Sequence, residues 1–380
     1  MATKRQMIQV ASPTGPEPLA SGARVGDVLY SSTIVGRDPS TGRLDDGPEL
    51  QFQHAFTNAE RLVRAAGLTP SDIGQVTIFI NDASYRPQIN KPWLELFPED
   101  AHRPSRKTTH APMPDGTFVQ LQVIAAAGGS RRPLEIHGLS HRDPLPMGAR
   151  LGDLVFSSVI GGDDPSSGSR PEGQPQIDIA FDNMVRLVED AGGTVGDVLL
   201  VWVYLGDFAF QAGMVETWLR IFPEEGNRPA RKTFPYDLGG RTTLIQLQFL
   251  ATLRGKRENY EIEGIGHHDP IPLGASKGGL FYSSGIDGRD PKTGKLASGP
   301  EAQTRQALEN TRTLVESAGG ALGGVVHLTF MLGDLAYQDD VLRAWKAVFP
   351  DEHDRPALHM MNLGIPGREN LIQAHVAAVL

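Results

Sequence analysis

The sequence has no cysteine, which excludes disulfides, thiol nucleophiles and thiolate-held metals and fits a reducing compartment. It has no apolar run of about 18 residues, so no helical membrane span is expected. The stretch Met1 to Ala11 is charged and then only briefly apolar, which is not the pattern of a signal peptide. Basic residues are in the minority: 36 Lys and Arg stand against 45 Asp and Glu, a net charge of −9. Nucleic-acid binding draws on a basic stripe, and none is present. Together these features predict a cytoplasmic chain with no nucleic-acid or membrane partner. The chain is 39% hydrophobic over 380 residues, with 43 Gly and 28 Pro. That composition suits a turn-rich soluble protein with a substantial core.

Internal repetition decides the architecture. Leu29-Tyr30-Ser31-Ser32 recurs as Val155-Phe156-Ser157-Ser158 and as Phe281-Tyr282-Ser283-Ser284, spaced by 126 residues both times. Asp38-Pro39, Asp164-Pro165 and Asp290-Pro291 follow, each with a glycine three residues later (Gly42, Gly168, Gly294). Trp93, Trp218 and Trp345 each precede a Phe-Pro pair, and Arg103-Pro104, Arg228-Pro229 and Arg355-Pro356 come next. Each copy closes on an alternating apolar strand around Gln120, Gln246 and Gln373. The period is that of a whole small domain and too long for a solenoid repeat.

Within the first copy, Val25–Ile34 reads as a strand and Gln53–Ala66 as an amphipathic helix ended by Gly67. Gln75–Ile80 reads as a strand, and Tyr85–Phe97 as a helix around Trp93 whose first half Pro87 and Pro92 disturb. Arg106–His110 and Phe118–Ala125 are the last two strands, giving the order ββαβαββ. The domains predicted are 1–130, 131–254 and 255–380, joined by short polar segments. Three equal, closely linked units predict a closed ring, an intramolecular pseudo-trimer, with further assembly left open.

These residues resemble a known family. The run Gly26-Asp27-Val28-Leu29-Tyr30-Ser31-Ser32, the Asp38-Pro39-Ser40-Thr41-Gly42 turn, the Asn58-containing helix ending Ala65-Ala66-Gly67 and the Arg103-Pro104-Ser105-Arg106 segment are similar to the RidA (YjgF) family. The resemblance covers nearly the whole chain, three times over. It implies an α+β, chorismate-mutase-like fold, three tandem copies of it here. Family members are homotrimers with sheets inward, helices outward and a cleft between neighbours. Well-studied members hydrolyse enamines and imines to a keto acid and ammonia, without a cofactor.

The resemblance also implies site residues. The family's substrate-binding Arg falls on Arg106 and Arg231, with Leu358 in the third copy. A guanidinium clamps a carboxylate with two parallel hydrogen bonds, and leucine cannot. The family's water-orienting Glu is Gln120, Gln246 and Gln373 here. An amide can orient a water, or read an amide or ring N–H, but cannot take a proton. Ser31, Ser157 and Ser283 match the family's early-strand Ser. Asn90 matches a family Asn, which Val215 and Leu342 replace. On this count the first unit is best equipped, the second partial and the third degenerate.

Histidines are candidates for the missing base. His141 and His267 are repeat-equivalent and precede their units' first strands. His110 shares a strand face with Arg106 and Thr108. His375 lies two residues after Gln373. No histidine spacing matches a zinc motif, and no metal site is expected. The three tryptophans read as core anchors, and Asn58, Asn183 and Asn310 as ties between helix and loop. Neither a GxGxxG turn in strand–helix context nor a GxSxG elbow is present. The function predicted is hydrolysis of a C–N bond, of the enamine or imine deaminase type, in a small carboxylate-bearing substrate. The alternative is a non-catalytic small-ligand binder. Ribonuclease activity is disfavoured by the acidic balance.

Overall fold

The computed structural model describes residues 4–11, 19–238, 242–365 and 369–380. The first unit comprises β1 (Gln6–Ile8), β2 (Gly22–Val25), β3 (Val28–Ser31), β4 (Ile34–Val35), α1 (Pro48–Ala65), β5 (Ile73–Ile80), α2 (Asn90–Leu96), β6 (Ser105–His110) and β7 (Val119–Ala126). The second comprises β8 (Arg131–Leu134), β9 (Gly148–Leu151), β10 (Leu154–Ser157), β11 (Ile160–Gly161), α3 (Gln174–Asp190), β12 (Val198–Leu205), α4 (Gln211–Ile221), β13 (Ala230–Pro235) and β14 (Ile245–Thr252). The third comprises β15 (Glu258–Tyr260), β16 (Gly274–Lys277), β17 (Leu280–Ser283), β18 (Ile286–Asp287), α5 (Pro300–Ser317), β19 (Val325–Leu332), α6 (Gln338–Val348), β20 (Ala357–Met361) and β21 (Ile372–Val379).

Each unit builds its own mixed sheet, ordered β1-β2-β3-β7-β5-β6 in the first and equivalently in the others. β5 and β6 run parallel because the helical crossover through α2 returns the chain to the same end of the sheet. α1 buries Phe52, Ala55, Phe56, Ala59, Leu62 and Val63 at helical spacing, and Gly67 ends the segment at φ 73°. Trp93, Trp218 and Trp345 are fully buried anchors under the second helix of each unit. The Asn58 amide donates to the carbonyls of Val35 and Arg37, as Asn183 and Asn310 do in their units.

Two local expectations change. Val25–Ile34 is not one strand. Gly26, at φ 58°, turns β2 into β3, and at Ser32-Thr33 the chain steps out of its ladder, Thr33 N donating to Leu358 O of the third unit. Edge strands β1, β8 and β15 carry no strong apolar pattern and are not foreseen. The irregular start of the Trp93 helix is present, as a 3-10 stretch over Ala83–Ile89 containing Pro87. The copies without these prolines have 11-residue helices.

The ring closes through the sheets. β5 lies against β9 and β10, β12 against β16 and β17, and β19 against β2 and β3. β5, β12 and β19 therefore have helices on one face and a neighbour's sheet on the other. Of their residues only Trp202 is less than fully buried. An inner core joins Tyr30, Phe156 and Tyr282 with small residues from all three units. Among the described residues no helix is long and apolar enough to cross a membrane, and no group of three His, Asp or Glu could hold a metal.

Candidate active site

At the first seam β6 faces the second unit. The backbone N–H of Arg106 donates to Ser158 Oγ of the neighbour at 3.0 Å, fixing the strand that aims the side chain. The guanidinium is 2% exposed and lies over the Trp93 ring, 4.8 Å from its centroid. Its Nη1 donates to Asn90 Oδ1 at 3.1 Å and its Nη2 lies 3.2 Å from Asp143 Oδ2. Asn90 Nδ2 in turn donates to Asp143 Oδ1 at 3.1 Å. Burial lowers the Arg106 pKa to about 10, opposed by Asp143, so it stays charged at neutral pH. The cleft, about 610 Å³, is also lined by Arg86, Thr108, His141, Arg170 and Gln246. Burial, then the charge of Arg106, lowers His141 to about 4, and its Nε2 has no partner. His141 is thus a neutral imidazole. Behind Gln246, Lys107 Nζ donates to its Oε1 at 2.9 Å. Burial, then Arg86, lowers Lys107 to about 7.

The second seam repeats this plan with gaps. Arg231 N donates to Ser284 Oγ at 3.0 Å, and the guanidinium lies 4.8 Å from the Trp218 centroid. Asp269 pairs with its Nη2. Val215 stands where Asn90 stands in the first unit, so Arg231 Nε and Nη1 are buried without partners. The cleft is about 830 Å³ and is lined by Lys232, Thr233, His267, Arg289, Asn370 and Gln373, among others. Burial lowers His267 to about 4 and Lys232 to about 8. Lys232 Nζ donates to Gln373 Oε1.

The third seam keeps the scaffold and lacks the guanidinium. Leu358 N donates to Ser32 Oγ at 2.9 Å, but the Leu358 side chain is 1% exposed in the third unit's core. His359 replaces the lysine, with Nδ1 2.7 Å from Thr33 Oγ1.

The endoribonuclease L-PSP family profile matches residues 11–127 and 273–364. The chain belongs to the endoribonuclease L-PSP (RidA) family. One relative is a 2-iminobutanoate/2-iminopropanoate deaminase of Salmonella typhimurium, 36% identical over 116 residues, which are 30% of this chain and 91% of that protein. Another, of the same name, from Dermatophagoides farinae, is 31% identical over 120 residues, covering 30% of this chain and 92% of its own length. A crystal structure of a chorismatase aligns over 81% of this chain and 93% of its own, with a TM-score of 0.56 at 15% identity. That likeness concerns the fold, and it matches the tandem architecture as well as the single unit.

Several candidate residues lie elsewhere than expected. Arg106 does not share a cleft with Gln120. Gln120 pairs with Val35 on β4 and so lies at the third seam, while Arg106 lines its cleft with Gln246 of the next unit. Each cleft is lined by two units, so the residues counted within one unit do not all face one another. Ser31 and Ser157 are fully buried, and their hydroxyls accept from Val123 N and Phe249 N of their own sheets. They brace the last strand and face no cleft. His110 is exposed at the end of β6, its Nε2 2.7 Å from the Asn81 carbonyl, and it does not line the Arg106 cleft. His375 points to a small chamber on the ring axis with Gln122 and Gln248, not into the cleft that Gln373 lines. Asn90, Arg106, His141 and Gln246 do come together, as do Arg231 and His267. Sequence reasoning missed Asp143, Asp269, Lys107, Lys232, Ser158 and Ser284. The signal was available, since His-x-Asp-Pro and Arg-Lys-Thr each occur in two copies.

Proposed function

We propose that the protein hydrolyses a C–N bond in small carboxylate-bearing imines or enamines at the first and second seams. The carrying observation is Arg106, a buried, charged guanidinium aimed into a cleft whose walls hold four arginines, Arg86, Arg106, Arg142 and Arg170, against Asp143 and Asp163. Such a cleft attracts an anion and orients it beside Arg106. Family relatives named as 2-iminobutanoate/2-iminopropanoate deaminases support the reaction class. With glutamine in place of the family's glutamate, the neutral His141 imidazole, whose Nε2 has no protein partner, is the base we assign. Water adds to the imine carbon, its proton passes to His141 Nε2 and from there to the imine nitrogen, giving the carbinolamine, and the same imidazole then carries the hydroxyl proton to that nitrogen. The C–N bond breaks, ammonia leaves and a keto acid remains.

Ammonia release from 2-iminobutanoate generated in situ tests this reading. Arg106→Ala with Arg231→Ala is expected to lower kcat/KM at least 100-fold with the fold retained. Equal rates for this variant and the wild type would refute it. Glutamine at the glutamate position favours the second reading, a binder of small carboxylates. Calorimetric binding without turnover would establish that instead.

A further inference from the structure

We infer that Lys107 and Lys232 turn Gln246 and Gln373 so that the amide nitrogen faces the cleft, making this position a hydrogen-bond donor for an acceptor oxygen on the substrate. The lysines act as positioning residues and the glutamines determine specificity. The inference rests on the proposed carboxylate site, since it places the second polar group of the same ligand.

An ammonium has three donors and no acceptor, so only the oxygen of a primary amide can bond to it. Amide orientation is assigned from such networks. Here Lys107 Nζ lies 2.9 Å from Gln246 Oε1, and Lys232 Nζ contacts Gln373 Oε1 in the same way. Two independent copies of the pair make the same choice. Lys107 is 1% and Lys232 5% exposed. Their other neighbours are aromatic faces, with Lys107 Nζ 4.1 Å from the Tyr204 centroid and Lys232 Nζ 5.6 Å from that of Phe234. Burial dominates both amines, and no carboxylate is among the groups that act on them. Flipping the amide would set N–H groups against N–H groups in a dry site. The preference belongs to the protonated lysine, since a neutral amine gains a lone pair that can accept from the amide N–H.

Both glutamines line their clefts, and among the described residues neither Nε2 has a protein acceptor. A glutamate here would accept hydrogen bonds and take up a proton. A glutamine held by its oxygen offers only N–H. A water bound to it is held through its lone pair, which hinders attack, whereas an oxygen gaining negative charge is stabilised. The geometry points to ligands with a carboxylate on Arg106 or Arg231 and a carbonyl or developing oxyanion on the glutamine. The third seam lacks the device, because His359 replaces the lysine and is engaged with Thr33.

Calorimetry of the intact protein with 2-oxobutanoate and with butanoate, which lacks the second oxygen, tests the inference. The wild type is expected to prefer 2-oxobutanoate at least tenfold. Lys107→Met with Lys232→Met frees the amides and should bring the ratio toward one. Gln246→Glu with Gln373→Glu replaces the donor by an acceptor paired to the buried lysine, so it should fold and should lose or invert the preference. Equal wild-type affinities, no binding of either acid, or an unchanged ratio in the glutamate variant would overturn the assignment. A preference erased by both variants, in a protein that releases no ammonia from imino acids, would uphold the donor and remove only the hydrolysis reading.

Discussion

Asp143 and Asp269 set how available each arginine is to a ligand. Asp143 shares Arg106 with Asn90, while Asp269 leaves Nε and Nη1 of Arg231 unclaimed. On the proposed reading, a carboxylate ligand at the first seam competes with Asp143. Asp143→Asn should therefore tighten butanoate binding about tenfold by removing the competing charge. Arg106 loses its ion-pair partner, so stability should fall, by about 1–2 kcal/mol because Asp143 is 25% exposed. Weaker binding in urea-stable D143N protein would show that the aspartate positions the ligand. Buried titratable groups also make an unusual pH profile. His141, His267, His359 and His375 are lowered to about 4, 4, 3 and 3, and His327 lies well below its ordinary value, all by burial. Their stabilisation is complete above the unfolded value near 6.5 and is lost as pH falls toward 3–4, by up to about 1.4 kcal/mol per proton per pH unit. Lys107 and Lys232 are lowered to about 7 and 8, so their contribution grows between those values and about 10.5. The urea midpoint is expected to rise from pH 5 to 7 and again from 7 to 9. A maximum at pH 6 would contradict the burial of these groups.

The serine doublets show how one short element serves two sheets. Ser31, Ser157 and Ser283 accept backbone N–H bonds from Val123, Phe249 and Val376 within their own units. Ser32, Ser158 and Ser284 accept from Leu358, Arg106 and Arg231 of the preceding unit in the ring. Ser157→Ala should cost about 1–3 kcal/mol by stranding a buried N–H, with butanoate affinity unchanged. Ser158→Ala should cost a similar amount and also weaken butanoate binding, since it loosens the strand that aims Arg106. Equal effects on binding would deny the doublet its divided role. The same contrast explains what the sequence disclosed. Strands and helices were legible because their apolar periods are local, and Arg106 and Asn90 because the family motifs that the resemblance carries each lie within one unit. Their cleft partners were not. Lys107 and Gln246 are 139 residues apart, and Arg106 and Ser158 are 52 apart, in different units. Pairing across a ring leaves no periodic trace along the chain. Only recurrence at the repeat spacing marked Asp143, Asp269 and the two lysines. Ser31 and Ser157 were carried over from the resemblance, and a motif match does not reveal which of two adjacent serines faces a neighbour.

Ring closure is the property that separates this chain from three independent subunits. Two seams are backed by a peptide connection, and the third holds only by non-covalent contacts. An arginine recurs at each seam. Arg131 of the second unit donates to the carbonyls of Pro70 and Ile73 in the first, and Arg257 of the third donates to Val195 and Val198 in the second. Arg5 closes the circle, its Nη1 2.8 Å from the carbonyl oxygens of both Leu322 and Val325, with Asp354 paired to Nη2. The bonds are alike, but their consequences are not. Losing Arg131 leaves its two units tethered, so the seam re-forms at a high effective concentration. Losing Arg5 weakens the one seam where opening separates the first unit from the third. An opened ring exposes two complementary sheet faces, and a second opened copy can satisfy both by exchange. Arg5→Ala is therefore expected to shift the chain toward larger assemblies with rising concentration, measured by light scattering on a sizing column, while Arg131→Ala shows a smaller shift. Hydrogen exchange should show the same asymmetry, with protection lost along β19 in Arg5→Ala and kept along β5 in Arg131→Ala. If both variants assemble and exchange alike, the third seam is no weaker than the tethered ones, and closure owes nothing special to Arg5.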